Sequence, residues 1–100
     1  MAIMEISLTP IGTGSTSLSA AVAACLKVLD ERKMVYELNA MGTCVEGNTP
    51  DLLAAAQAMQ ERCFTATGVQ RVSMFIKIDD RRDRPMGIKD RIQAVKRHLN

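Results

Sequence analysis

The sequence predicts an α+β domain of order βαββαβ with one additional C-terminal helix, and three observations carry that prediction. Apolar and polar residues alternate over residues 4–8 and again over 69–79, the period of a strand with one covered face. Two intervening segments repeat apolar residues at helical spacing, each after a run of turn formers and helix-capping side chains. Two short stretches, 34–40 and 41–46, read as strands between those helices.

In the first strand Met4, Ile6 and Leu8 share one face, and Glu5 and Ser7 the other. Pro10 and the run from Gly12 to Ser17 then break the pattern, so a helix is expected near Ser17. Its apolar positions are Leu18, Val22, Cys25, Leu26 and Leu29, with Lys27, Asp30, Glu31 and Arg32 toward the exit. Gly42 fits a bend or hairpin turn between the two short strands. Asn48 or Thr49 as cap and Pro50 in the first turn announce a second helix running to about Thr65, with Leu52, Ala56, Met59 and Cys63 inward and Gly68 as its stop. In the last strand Val72, Met74, Ile76 and Ile78 oppose Arg71, Ser73, Phe75 and Lys77. After a polar connection over 79–85, Ile88, Ile92, Val95 and Leu99 mark the packing face of a terminal helix.

This order is the ferredoxin-like arrangement: an antiparallel four-stranded sheet with two helices on one face, here in a single domain over residues 1–100. The other face then carries Glu5, Ser7, Arg71, Ser73, Phe75 and Lys77, joined by Glu37 and Asn39 if Leu38 points inward. Such a mixed surface in a small domain commonly meets another subunit, with Ile3 and Phe75 as the apolar part, and a homodimer or larger homo-oligomer is expected.

Composition removes several function classes. At 100 residues the chain is 47% hydrophobic and 24% charged, with a net charge of +2 and only Tyr36, Phe64 and Phe75 as rings, a poor match to a nucleic-acid binder. The N-terminal residues lack the basic-then-apolar pattern of an export signal, and the longest apolar run, residues 20–26, cannot span a membrane, so the expected address is cytoplasmic. Cys25, Cys44 and Cys63 form no CxxC pair, and the sole histidine, His98, sits where a cation suits a helix end. No metal site, cofactor or catalytic constellation is read, and no enzyme activity is expected. The Asp79, Asp80 and Asp83 carboxylates neutralise Arg81, Arg82 and Arg84, which favours salt bridges over phosphate recognition.

What remains is ligand binding. The hydroxyls of the Gly12-Thr13-Gly14-Ser15-Thr16-Ser17 loop lead into a helix start, although the loop matches no nucleotide motif. Glu37 and Glu46 sit in strands, with Asn39 and Thr43 nearby and Met34 and Met41 as soft packing. Such a group suits a small organic cation or a heteroaromatic ring; it equally suits a polar network between subunits.

Three blocks carry a resemblance: residues 4–10 with 14–19 (MEISLTP and GSTSLS), 36–43 (YELNAMGT) and 76–83 (IKIDDRRD). In this order, over nearly the whole chain, they resemble the thiamine-binding-protein family of small domains related to YkoF. The resemblance implies a ferredoxin-like fold, homodimers or homotetramers built through sheet faces, and non-enzymatic binding of thiamine or its hydroxymethylpyrimidine moiety. On the matching blocks it puts the ligand among Thr13, Ser15, Ser17, Glu37, Asn39 and Thr43. Glu37 would then supply charge or accept the amino group, Asn39 would read the ring edge, and hydroxyls would hold the hydroxyethyl group. The alternative is an oligomeric interaction or regulatory module without such a ligand.

Overall fold

A computed structural model describes residues 1–99. Seven elements follow in the expected order: β1 (Ala2–Ile11), α1 (Ser19–Glu31), β2 (Val35–Asn39), β3 (Gly42–Gly47), α2 (Thr49–Thr67), β4 (Arg71–Asp80) and α3 (Ile88–Lys96). The four strands form one sheet of order β2-β3-β1-β4 in which every neighbour is antiparallel. This is the ferredoxin-like arrangement with a C-terminal helix.

The core lies between the sheet and helices α1 and α2. Met4, Ile6 and Val45 project from the sheet onto Cys25, Val28 and Leu29 of α1 and Leu52, Ala55, Met59 and Cys63 of α2, all buried. α2 begins as its sequence indicates: Asn48 Oδ1 accepts from the Asp51 backbone N–H at 2.9 Å, and Pro50 occupies the first turn. It ends at Gly68, whose φ of 71° is the left-handed conformation that glycine adopts without strain.

Three features differ from expectation. β1 is longer than the alternating stretch and passes through Pro10, because beyond Ile6 only β4 flanks it and a residue without an N–H interrupts no ladder on the vacant side. α1 starts at Ser19 rather than near Ser17, and its cap, Leu18, makes no side-chain hydrogen bond. The loop hydroxyls are spent on the loop's own backbone: Thr13 Oγ1 donates to the Ser15 carbonyl at 3.0 Å, and Ser15 Oγ accepts from the Ser17 N–H at 3.1 Å. Third, of the four apolar residues expected to seat α3, only Ile88 is buried, while Ile92, Val95 and Leu99 are 39%, 62% and 76% exposed.

α3 lies across the sheet face opposite α1 and α2 and is held by its first turn. Glu46 Oε2 accepts from the Ile88 N–H at 2.8 Å, and Arg91 pairs with Asp79; Glu46 and Asp79 flank Ile3 in the same cross-strand row. A carboxylate at this end of a helix is favoured by the dipole as well as by the free N–H groups.

Candidate functional site

The sheet's pleat divides the six residues singled out from the sequence. A two-residue turn, Ala40 and Met41, joins β2 to β3 and sets Asn39 opposite Gly42, Leu38 opposite Thr43 and Glu37 opposite Cys44. Thr43 pairs with Ile6 on the helix side, whereas Glu37 lies on the opposite, outer face with Cys44, Glu5 and Lys77 in one cross-strand row. Asn39 belongs to the outer face at the hairpin end, where its Nδ2 donates to Cys44 Sγ at 3.6 Å. Thr13 and Ser17 border a separate recess of about 210 Å³ beside Ala66 and Thr67 at the end of α2, and Ser15 points its hydroxyl back into its own loop. The structure thus brings Thr43 and Asn39 near each other but does not bring Glu37, or the loop hydroxyls, into the same space.

The main cavity, about 750 Å³, opens between the first half of α1 and the β2-β3 hairpin. Ile6, Leu8, Leu38 and Thr43 form its sheet wall, Leu18, Val22 and Leu26 its helix wall, and Cys25 and Met59 its inner end. Its origin is an uneven seating of α1. The second half of the helix is packed down through Val28 and Leu29 and tied to β2 where Tyr36 donates to Asp30 Oδ1 at 2.8 Å. The first half stands away from the hairpin and leaves Leu18 and Val22 only half-buried.

Thr43 is the only buried polar residue among those described, 4% exposed, and its side chain faces the cavity. It offers one donor and two acceptor positions to whatever fills the cavity. Asn39, Ser7, Thr9 and Ser19 add polar groups at the margin, and no Asp, Glu, Lys or Arg lines the space. A carbon-rich cavity with one buried hydroxyl and a polar rim suits a small neutral ring with hydrogen-bonding edges.

The thiols supply no nucleophile here. Burial pushes the Cys25 thiol up to about 12, with neighbouring Cys63 adding to the effect, and its Sγ donates to the Met59 carbonyl at 3.6 Å. Burial also raises Cys44 above its ordinary value, Glu5 contributing and the Asn39 contact opposing. The charges of the connection after β4 are satisfied locally: Arg81 pairs with Asp83 at 2.8 Å and Arg82 with Asp80 at 3.0 Å, contacts that hold both carboxyls below their usual range.

The sequence reading did not find the cavity's helix wall. Leu18, Val22 and Leu26 recur every four residues beside Cys25 and Leu29, a spacing that reads as one packing face; in the fold they form a second, adjacent stripe. The signal was the width of the apolar arc on α1, broader than α2 alone can cover.

Comparison with known proteins agrees with this architecture. The profile of the family described as "Thiamine-binding protein" matches residues 4–96. The UPF0045 protein YqgV of Bacillus subtilis is 42% identical, over 99% of this chain and 98% of that protein. A UPF0045 protein of Methanothermobacter thermautotrophicus is 40% identical, over 99% of this chain and all of its own length. Among solved structures, the hypothetical protein MJ1052 of Methanocaldococcus jannaschii superposes with a TM-score of 0.86 at 29% identity, over 95% of each chain. With the profile spanning β1 to α3 and relatives matched along their whole length, the chain belongs to the thiamine-binding protein family.

Proposed function

We propose that this protein binds, without transforming, a small heteroaromatic molecule of the thiamine type, and that the ring occupies the cavity between α1 and the β2-β3 hairpin. The observation that carries the reading is Thr43: a hydroxyl-bearing side chain on the lining of an otherwise largely apolar cavity, in none of the side-chain hydrogen bonds of the described residues. A ring bearing an amino group or ring nitrogen would pair with that hydroxyl, which can both donate and accept. Membership of a family described as thiamine-binding supports a ligand of that class. The absence of charged side chains from the lining favours a neutral hydroxymethylpyrimidine inside the cavity, with a thiazolium, where present, left toward solvent.

The test is thermal unfolding with hydroxymethylpyrimidine, thiamine, thiamine phosphate and unrelated organic cations. Ligand at about 100 times its dissociation constant stabilises the native state by roughly 2.7 kcal/mol. Thr43→Val keeps the shape and removes the hydroxyl, and is expected to weaken binding by about 1 kcal/mol while leaving unfolding without ligand little changed. Glu37→Gln, on the other sheet face, is expected to leave the affinity unaltered. Loss of binding in Glu37→Gln with none in Thr43→Val would move the ligand to the outer face, and no stabilisation by any compound would remove the reading.

The alternative, an interaction module, draws on the outer face itself, where Phe75 is 62% and Val35 59% exposed. Exposed rings and branched side chains on a sheet face are the usual makings of a subunit contact, and we infer that a second copy covers this face in a homodimer or homotetramer. Ligand binding on the helix side and assembly on the outer side would share only residues at the cavity margin, Ser7, Thr9 and Asn39.

A further inference from the structure

Two thiols meet across the α1-α2 interface, and no step of ligand binding requires either. Cys25 and Cys63 are buried in the core, while Cys44 lies on the outer sheet face. Cys25 Sγ reaches the Met59 carbonyl at 3.6 Å, the carbonyl on which the Cys63 N–H closes its helical bond. A helical side chain leans back toward the preceding turn, so Cys63 Sγ is directed at the same spot, near enough to act on the Cys25 thiol. The helices are pinned to each other at this level: Arg62, beside Cys63, donates to both carboxylate oxygens of Glu31 on α1, at 3.0 and 2.7 Å. The two thiols differ in one respect. Cys25 borders the inner end of the main cavity, whereas Cys63 lies behind it, outside the lining.

We propose that Cys25 and Cys63 are a reversible redox pair, oxidised to a disulfide by a peroxide that enters through the cavity, and that the bond staples α1 to α2 at the cavity's inner end. Cys25 reacts first because it alone borders the cavity. Its sulfur attacks one oxygen of hydrogen peroxide; the O–O bond breaks, the sulfur keeps a hydroxyl group, and the departing hydroxide leaves as water with the thiol's proton. The Cys63 sulfur then attacks the Cys25 sulfur; the S–S bond forms, the S–O bond breaks, and the displaced hydroxide takes the Cys63 proton as a second water. Two thiols have lost two electrons and the peroxide has gained them, and a small-molecule dithiol reverses the change by exchange. Burial keeps Cys25 protonated at neutral pH, so the first step is slow there and quickens as pH rises. The ionisable groups that face it are Cys63 and Arg62, both on α2. An S–S bond of about 2.05 Å draws the sulfurs together and turns Cys25 off the Met59 carbonyl. It acts where α1 passes from its packed half, at Val28 and Leu29, to the half that stands away from the hairpin, so the oxidised chain has a different inner wall to its cavity.

The full-length Cys44→Ala chain retains only this pair. Hydrogen peroxide acting on that folded chain is expected to give, on non-reducing peptide mapping, a bond between residues 25 and 63 of one chain, and dithiothreitol to undo it. The linked form should unfold at least about 5 °C higher than the reduced form. The rate of linkage should rise roughly tenfold per pH unit above neutrality. With one partner removed, dimedone is expected to trap a sulfenic acid on Cys25 in Cys63→Ala and none on Cys63 in Cys25→Ala. The mapping alters no core residue, so it decides the matter even where a core variant fails to fold. A bond that forms only after the chain is unfolded in urea, bonds between chains in place of one within a chain, a linked form that melts no higher, or sulfenic acid on Cys63 overturns the proposal and leaves the two thiols as packing alone.

Discussion

Cys25 shows how little of a residue's chemistry follows from its name. A thiol at the helix interface, beside Cys63 and donating to the Met59 carbonyl, is held neutral far above its ordinary range. A raised folded-state value contributes stability that is complete below about 9, the unfolded value, and is lost as pH rises toward about 12. Alkaline titration followed by circular dichroism is therefore expected to show destabilisation beginning near pH 9, with a shallower slope in Cys25→Ala. Alkylation at neutral pH should mark Cys44 long before either buried thiol. The helix-facing placement of Cys25 and Cys63 was legible in the sequence from their spacing alone. That Thr43 and Glu37 part company was implicit there too: an inward Leu38 sends Glu37 outward, and the pairing of Leu38 with Thr43 completes the separation. Glu37, Asn39 and Thr43 are near one another along the chain, but the pleat separates Glu37 from Thr43.

Among the elements, α3 shows where a pattern stops being informative. Helical periodicity correctly gives a helix with one apolar stripe, but the same stripe arises whether it packs on its own sheet or on another molecule. Here the chain seats Ile88 and leaves the rest of the stripe in solvent, so the attachment rests on Glu46, Asp79 and Arg91. Gly87 is what lets Glu46 reach the helix end, since a Cβ at that position would lie 2.6 Å from Glu46 Oε2. Gly87→Ala is expected to displace that carboxylate, to cost about 1 kcal/mol as the loss of a helix cap does, and to speed amide exchange across α3 while sparing α2. Exchange that remains equally slow in both helices would show that the carboxylate is not the tether. The elements that were legible, α2 above all, are those whose start, stop and inner face are all written locally: Asn48, Pro50, Gly68 and the row from Leu52 to Cys63.

For the molecule as a whole, the sheet is a partition with a cavity on one side and a face bearing the exposed Phe75 and Val35 on the other. Its class and strand order were legible because alternation and helical spacing do not overlap in this sequence, and the right pairings follow once four strands must share two covering helices. The cavity was not, because it depends on how far α1 stands from the hairpin, a distance set by Tyr36 on Asp30 and by the packing of Leu29 rather than by any motif. β1 belongs to both sides at once: Ile6 and Leu8 border the recess, while Ile3 and Glu5 look the other way. Odd and even positions of that strand therefore encode two different jobs, and the count between them is itself a constraint. One residue inserted after Ile6 exchanges the two sets for the remainder of the strand, and a second insertion restores the parity. The singly lengthened chain is expected to melt below the doubly lengthened one, an ordering that simple crowding of extra atoms would reverse.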